Sequence, residues 1–346
     1  MCLTNILTVH IKPNYQVFFN WNRLYSYKLI NFFILIGGRG IGKTTGALID
    51  CVKAYNKTRE QFVYVRRYKS ELKKCKGLLS KITKDYRIRG GGDGVIEYVD
   101  KEGGIIGWAI ALTVQQTVKS GINFENVTRI IYDEVTIARG GVLRYINNEI
   151  DQFLELLSSI VRERSNYKVY FIGNNNDLFN PYIEYFNINI KQNPYVDYER
   201  GIYFEYCKTK EALIEIEKET PLYRVTKGTA YHQYHYANEV LVADNNKLGV
   251  KDAHATFLTR LLFNDVTLNV YMQDNGSAFI EYRDKPIEDS YTYVIMKKSE
   301  YNLYYCRLFK DSSIGRYLIR AFFTEDVWYQ NNKCASIIQD FMQYVG

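Results

Sequence analysis

Gly37-Gly38-Arg39-Gly40-Ile41-Gly42-Lys43-Thr44 satisfies the spacing GxxxxGK[ST] and lies between an apolar run at residues 29–36 and helical sequence at 44–54. No other feature limits the fold as much. The glycines let the backbone curl until consecutive N–H groups face one centre, and the following helix adds its partial positive charge there. A buried strand must enter such a loop and a helix must leave it, so the chain begins as an α/β layer fold. The centre suits the phosphates of ATP. Gly37, Gly38, Arg39, Gly40, Ile41, Gly42, Lys43, Thr44 and Thr45 are its expected contacts, with Lys43 reaching the β- and γ-phosphates and Thr44 coordinating Mg2+.

The α/β pattern continues with a strand at 62–65 and helical spacing at 70–86. A hairpin at 95–99 and 105–112 is bracketed by glycine-rich turns at 90–92 and 101–104. Then come a buried strand at 127–132, an amphipathic helix at 149–164 and a strand at 168–172 that stops at Gly173-Asn174. After about residue 200 the texture changes. Charged helical sequence at 209–219 leads into 221–246, which has few periodic signals, and strand-like runs at 256–263, 266–272 and 278–282 read as an antiparallel meander. These shifts divide the chain into a domain at 1–205, a connecting segment at 206–252 and a C-terminal α+β domain at 253–346.

A phosphate cradle does not say what becomes of the nucleotide. The strand at 127–132 delivers two adjacent carboxylates: Asp133, placed to hold Mg2+ through water, and Glu134, placed to polarise a water for attack on the γ-phosphate. An activated water favours hydrolysis over transfer to a small acceptor. Asn174 ends the next strand, where its amide is placed to sense the γ-phosphate or hold that water. Arg162 and Arg164 close the 149–164 helix, either complementing its C-terminus or reaching a neighbouring subunit's nucleotide, and the residues alone leave both open. Arg66, Arg67, Lys69, Lys73, Lys74 and Lys76 concentrate positive charge opposed only by Glu71. Such a run is a solvated helix face or a channel lining that grips DNA phosphates without reading sequence. His232 and His235 are close together but have no cysteine near, so aromatic packing is expected there in place of a metal.

A formal charge of +7 suits a polyanionic partner. Cys2, Cys51, Cys75, Cys207, Cys306 and Cys334 form no CxxC pair, as expected of free thiols in a reducing compartment. Neither a secretion signal nor a membrane span is expected. The 32 tyrosines suit interfaces and nucleotide stacking, or reflect the codon bias of an AT-rich genome.

The string at 37–43, then Gln61-Phe62-Val63-Tyr64-Val65-Arg66-Arg67-Tyr68-Lys69, Gly107-Trp108-Ala109-Ile110, Asp133-Glu134, Arg162 and Asn180-Pro181-Tyr182 closely resemble the genome-packaging ATPases of phi29-like podoviruses. The match spans most of residues 29–186, and the 61–69 segment is its most specific part. The resemblance implies a P-loop ATPase domain of ASCE type around a mostly parallel sheet. It further implies a ring, pentameric in that family, that docks at the portal or connector of a procapsid in the host cytoplasm and drives double-stranded DNA inward. Some members engage a packaging RNA. Carried over by position, Lys43, Thr44, Asp133 and Glu134 keep the roles above, Arg162 falls on the family's trans-acting arginine, and Lys69 matches a residue linked to activity at the subunit interface. Arg39 lies where related motors carry a signalling arginine. Asn174 matches more loosely, because its turn differs. The family's C-terminal domain resembles a vestigial RNase H-like nuclease. A two-metal nuclease needs converging carboxylates, one on the first strand. Residues 256–263 carry none, and Asp265 and Asp274 occupy turns, so a docking domain without cleavage is expected. Two other readings are a P-loop kinase of a nucleoside or metabolite and a non-hydrolysing nucleic-acid-binding adaptor.

Overall fold

The computed structural model describes residues 7–90, 93–118, 121–137, 145–146, 148–175, 181–186, 188, 192–229, 232, 236, 248–263, 266–283, 285–295, 309–331, 334–335, 337–338 and 341–342. Cys2, Asn180, His235, Asp265 and Cys306 lie outside the described residues. The chain divides into two compact units, residues 1–178 with 188–241 and residues 179–187 with 242–346.

The first unit is built on nine strands: β1 (Phe32–Gly37), β2 (Gln61–Arg66), β3 (Arg87–Gly90), β4 (Val95–Val99), β5 (Ile105–Ala111), β6 (Val127–Asp133), β7 (Lys168–Asn174), β8 (Tyr195–Asp197) and β9 (Ile202–Cys207). They form one sheet in the order β3-β4-β5-β2-β6-β7-β1-β9-β8. The six strands from β5 to β9 are parallel, and antiparallel partners extend both edges. The near-continuous apolar sequence of β1, β2 and β7 follows from that position, since inner parallel strands are covered on both faces. Because the strands share a direction, Gly37, Arg66, Asp133 and Asn174 all reach one edge. β7 separates the glycine-loop strand β1 from the carboxylate strand β6.

Helices α1 (Lys43–Thr58), α2 (Leu72–Cys75), α3 (Gln115–Val118) and α4 (Glu149–Val161) belong to this unit. In the core, Trp21 meets Tyr170 at 4.9 Å between ring centres and Phe33 packs on Tyr170 and Tyr203. Tyrosine has a use here that phenylalanine lacks. Tyr55, Tyr64, Tyr132 and Tyr203 donate to Asp100 (2.7 Å), Asp133 (2.5 Å), Glu149 (2.8 Å) and Glu205 (2.7 Å), each a buried carboxylate. Part of the tyrosine content is therefore structural. Residues 206–241 also lie in the first unit, beyond the boundary at 205 expected from the sequence. Leu213 explains it: the charged surface of α5 (Glu211–Lys218) hides one apolar position that joins the core. His232 packs edge-on against Tyr223, at 4.6 Å, and beside Tyr236.

The second unit contains the antiparallel meander β10 (Thr256–Phe263), β11 (Val266–Met272) and β12 (Ala278–Arg283). β13 (Thr292–Val294) pairs parallel with β10, and β14 (Val327–Tyr329) parallel with β12. Leu318 and Ala321, on a helix at Ser313–Phe323, share one core with Leu261, Leu268, Val270 and Ile280. Cys51, Cys75, Cys207 and Cys334 are buried free thiols. Among the described residues no helix is long and apolar enough to cross a membrane.

Candidate active site

α1 begins where Gly42 sits at φ +89°, a left-handed conformation that a side chain would strain. Gly37 is required for a different reason: a Cβ there would lie 2.0 Å from the Cys207 carbonyl oxygen, which accepts the Gly38 N–H at 3.0 Å. Lys43 folds back across the loop, and its Nζ donates to the carbonyls of Gly37 (3.0 Å) and Gly38 (2.6 Å). Burial lowers its pKa to about 8, which leaves it mostly protonated at neutral pH. Arg39 and Gly40 are exposed, Ile41 is buried and Thr45 is half-buried.

Thr44 Oγ1 donates to the Asp133 carboxylate at 3.1 and 3.2 Å. From the other side Tyr64, on β2, donates to Asp133 Oδ2 and the Glu134 N–H donates to Oδ1 at 3.0 Å. Burial raises the Asp133 pKa above its ordinary value, with the Tyr64 bond and Arg66 opposing that rise. A hydroxyl and a carboxylate thus meet as hard oxygen donors, the kind Mg2+ takes, so the residues fit that ion.

Glu134 follows at φ +59° with its side chain 45 % exposed. Its carboxylate is ion-paired to Arg66, which also binds Glu71 at 2.5 Å and approaches Asp133 to 3.9 Å. This corrects the expectation that Arg66 and Arg67 grip DNA, for they are 6 % and 1 % exposed. Arg67 makes a two-pronged bond to Glu149 (2.6 and 2.8 Å) and donates to the carbonyls of Glu134 and Val135. The reason is the neighbours: β2 lies beside β6, whose end brings Asp133, Glu134 and two backbone carbonyls to these guanidinium groups, and Glu71 and Glu149 supply further carboxylates. Lys69, Lys73, Lys74 and Lys76 are exposed, with no ion pair among the described residues.

Asn174 is half-buried, and its carbonyl accepts Thr136 Oγ1 at 2.8 Å. Asn175 is the more deeply set residue, fully buried, with its N–H on the Gly37 carbonyl at 3.1 Å. Sequence reasoning therefore passed over Tyr64, Glu149, Thr136 and Asn175. Tyr64 could have been found as the one polar group in the otherwise apolar run at 62–65. Glu149 gave no local signal, because its partner Arg67 is 82 positions away. The two arginines after α4 separate cleanly. Arg164 donates to the carbonyls of Phe124, Glu125, Val127, Ile160 and Val161, whereas Arg162 caps the helix at φ +49° and is exposed.

Comparison with known proteins gives a consistent result. The family model described as podovirus DNA encapsidation protein (Gp16) matches residues 14–345. The chain is 29% identical over 286 residues to the DNA packaging protein of Bacillus phage phi29, covering 78% of this chain and 80% of that one. It is 28% identical, with the same coverage, to the DNA packaging protein of Bacillus phage PZA. A chain of the bacteriophage Phi-29 viral genome packaging motor assembly shares its fold with a TM-score of 0.63 at 24% identity, covering 95% of this chain and 100% of that chain.

Proposed function

This chain belongs to the podovirus DNA encapsidation family, and from that premise we propose that it is an ATP-driven motor that moves double-stranded viral DNA into a preformed capsid. The observation that carries the reading is the meeting of Thr44, Asp133 and Glu134 at the carboxyl edge, one strand away from the strand that leads into the glycine loop. That interposed strand supports the ASCE type of P-loop domain.

In this reading Lys43 exchanges the Gly37 and Gly38 carbonyls for β- and γ-phosphate oxygens of ATP. Thr44 and Asp133 hold Mg2+, which supplies charge neutralisation along the triphosphate. Glu134 accepts the proton of the attacking water. Its carboxylate is ion-paired with Arg66, so Arg66 positions Glu134. Exposed Arg162 serves the nucleotide of a neighbouring subunit in a ring, with Lys69 and Arg39 near that boundary and Asn174 sensing phosphate. Lys73, Lys74 and Lys76 are the residues left to contact DNA. The second unit orders its strands β13-β10-β11-β12-β14, a meander with a parallel partner at each edge, which supports an RNase H-like domain. β10 has no carboxylate, and the proposed role of the unit is docking to the portal or to a packaging RNA.

Glu134→Gln tests the assignment. It should bind ATP with near-normal affinity and lose phosphate release by about 10²- to 10⁴-fold. Undiminished steady-state hydrolysis would rule out the role given to Glu134.

A further inference from the structure

Of the four buried carboxylates that accept a tyrosine hydroxyl in the first unit, three are closed by a guanidinium as well. Asp100 binds Arg59 at 3.4 Å, Glu149 binds Arg67 at 2.6 Å, and Glu205 pairs with Arg23. Asp133 differs. Arg66 approaches it only to 3.9 Å and hydrogen-bonds to Glu71 and Glu134 instead. Among the described residues, no cation hydrogen-bonds to Asp133, although it is buried. A buried carboxylate left in that state calls for a cation from outside the chain. Tyr64 therefore serves a carboxylate with a different task from those held by Tyr55, Tyr132 and Tyr203.

Three donors hold the Asp133 carboxylate. Tyr64 donates to Oδ2 at 2.5 Å and the Glu134 N–H donates to Oδ1 at 3.0 Å, while the single Thr44 proton is shared between the two oxygens. A carboxylate without such partners turns easily about its Cβ–Cγ bond, because that torsion is broad. This one is pinned at both oxygens. Turning one out of this arrangement to coordinate Mg2+ directly, at about 2.1 Å, breaks a bond from a hydroxyl that is itself buried and leaves that donor unpaired. Mg2+ gives up its waters reluctantly, whereas Ca2+ accepts more protein oxygens in looser geometry. On the premise that this is the nucleotide site described above, we propose that Tyr64 is a positioning residue: it keeps Asp133 one water away from the ion, so that the site favours hydrated Mg2+ over Ca2+.

The test loads the full chain with Mn2+ and the non-hydrolysable ATP analogue AMPPNP and counts the waters on the ion from the electron paramagnetic resonance broadening caused by oxygen-17 water. Six octahedral positions, less the Thr44 hydroxyl and two phosphate oxygens, leave about three waters for wild type. Tyr64→Phe should keep about two, because the freed carboxylate oxygen displaces one. In competition against Mn2+, the same variant should also bind Ca2+ about tenfold better relative to Mg2+. Tyr203→Phe removes the same hydroxyl from another buried carboxylate and should match wild type in both measurements. Only about two waters on wild type would mean that Asp133 already coordinates the ion, which overturns the proposal without any variant. An unchanged water count or an unchanged ratio of Ca2+ to Mg2+ affinity in Tyr64→Phe overturns it too, since a hydroxyl with a purely structural role weakens both ions alike. So does a Tyr203→Phe chain that changes them in the same way. Failure of wild type to bind Mn2+ with AMPPNP at all would remove the nucleotide reading of the site, and the role of Tyr64 with it.

Discussion

Arg66 and Arg67 are consecutive and chemically alike, yet one holds the carboxylate proposed as the catalytic base and the other a buried carboxylate. Arg66 binds the half-exposed Glu134, whereas Arg67 is sealed on Glu149 and donates to two backbone carbonyls as well. Breaking a buried pair by removing one partner typically costs about 3–5 kcal/mol. Arg67→Ala should therefore lower stability by about that much in urea unfolding, whereas Lys73→Ala, Lys74→Ala or Lys76→Ala should change it by less than ~0.5 kcal/mol. Each of those lysine variants should also reduce the log–log salt slope of DNA binding by about 0.9 if the residue touches a phosphate. Asp133 and Glu134 were legible in the sequence because the chemistry is local: a strand end and two adjacent acids. The fate of Arg66 and Arg67 was not, since it depends on β2 pairing with β6 some 68 residues later, which no local pattern encodes.

One helix and three strands carry the tyrosine–carboxylate pairs, and the pairs give this unit a pH limit. Burial and the neighbouring Asp100 push the Tyr55 hydroxyl up to about 12, and burial with Asp133 pushes Tyr64 up as well. The folded chain keeps these protons above pH 10, where the unfolded chain releases them. The stability they provide is complete below about pH 10 and is lost as pH rises toward 12. Lys43 works in the opposite sense, because its lowered pKa makes folding less costly as pH rises from about 8 to 10. Urea midpoints measured from pH 8 to 11.5 should fall beyond pH 10, and Tyr55→Phe should be less stable at pH 8 but decline less steeply. The meander of β10, β11 and β12 was readable from alternation and turn residues. The place of α5 was not, since Leu213 is one of several apolar residues on a charged helix and only packing reveals which side is buried.

At the scale of the whole molecule, the proposed ring makes catalysis a property of neighbours. Arg164 is occupied by five carbonyls, which leaves exposed Arg162 to act across a boundary. Arg162→Ala subunits mixed with Glu134→Gln subunits should regain part of the ATPase activity that each lacks alone, and the activity should rise with protein concentration and with double-stranded DNA. Phosphate release at no more than the sum of the separate variants, at every ratio, would place Arg162 outside the neighbour's site. The end of β7 bonds in two directions: the Asn175 N–H to the Gly37 carbonyl that opens the phosphate loop, and the Asn174 carbonyl to Thr136, two residues past Glu134. In the proposed motor, one strand terminus is thus a latch between the loop that would hold the triphosphate and the carboxylate that would activate water. Displacing either pulls on the other through two hydrogen bonds, so grip and discharge would be timed by the same short piece of backbone.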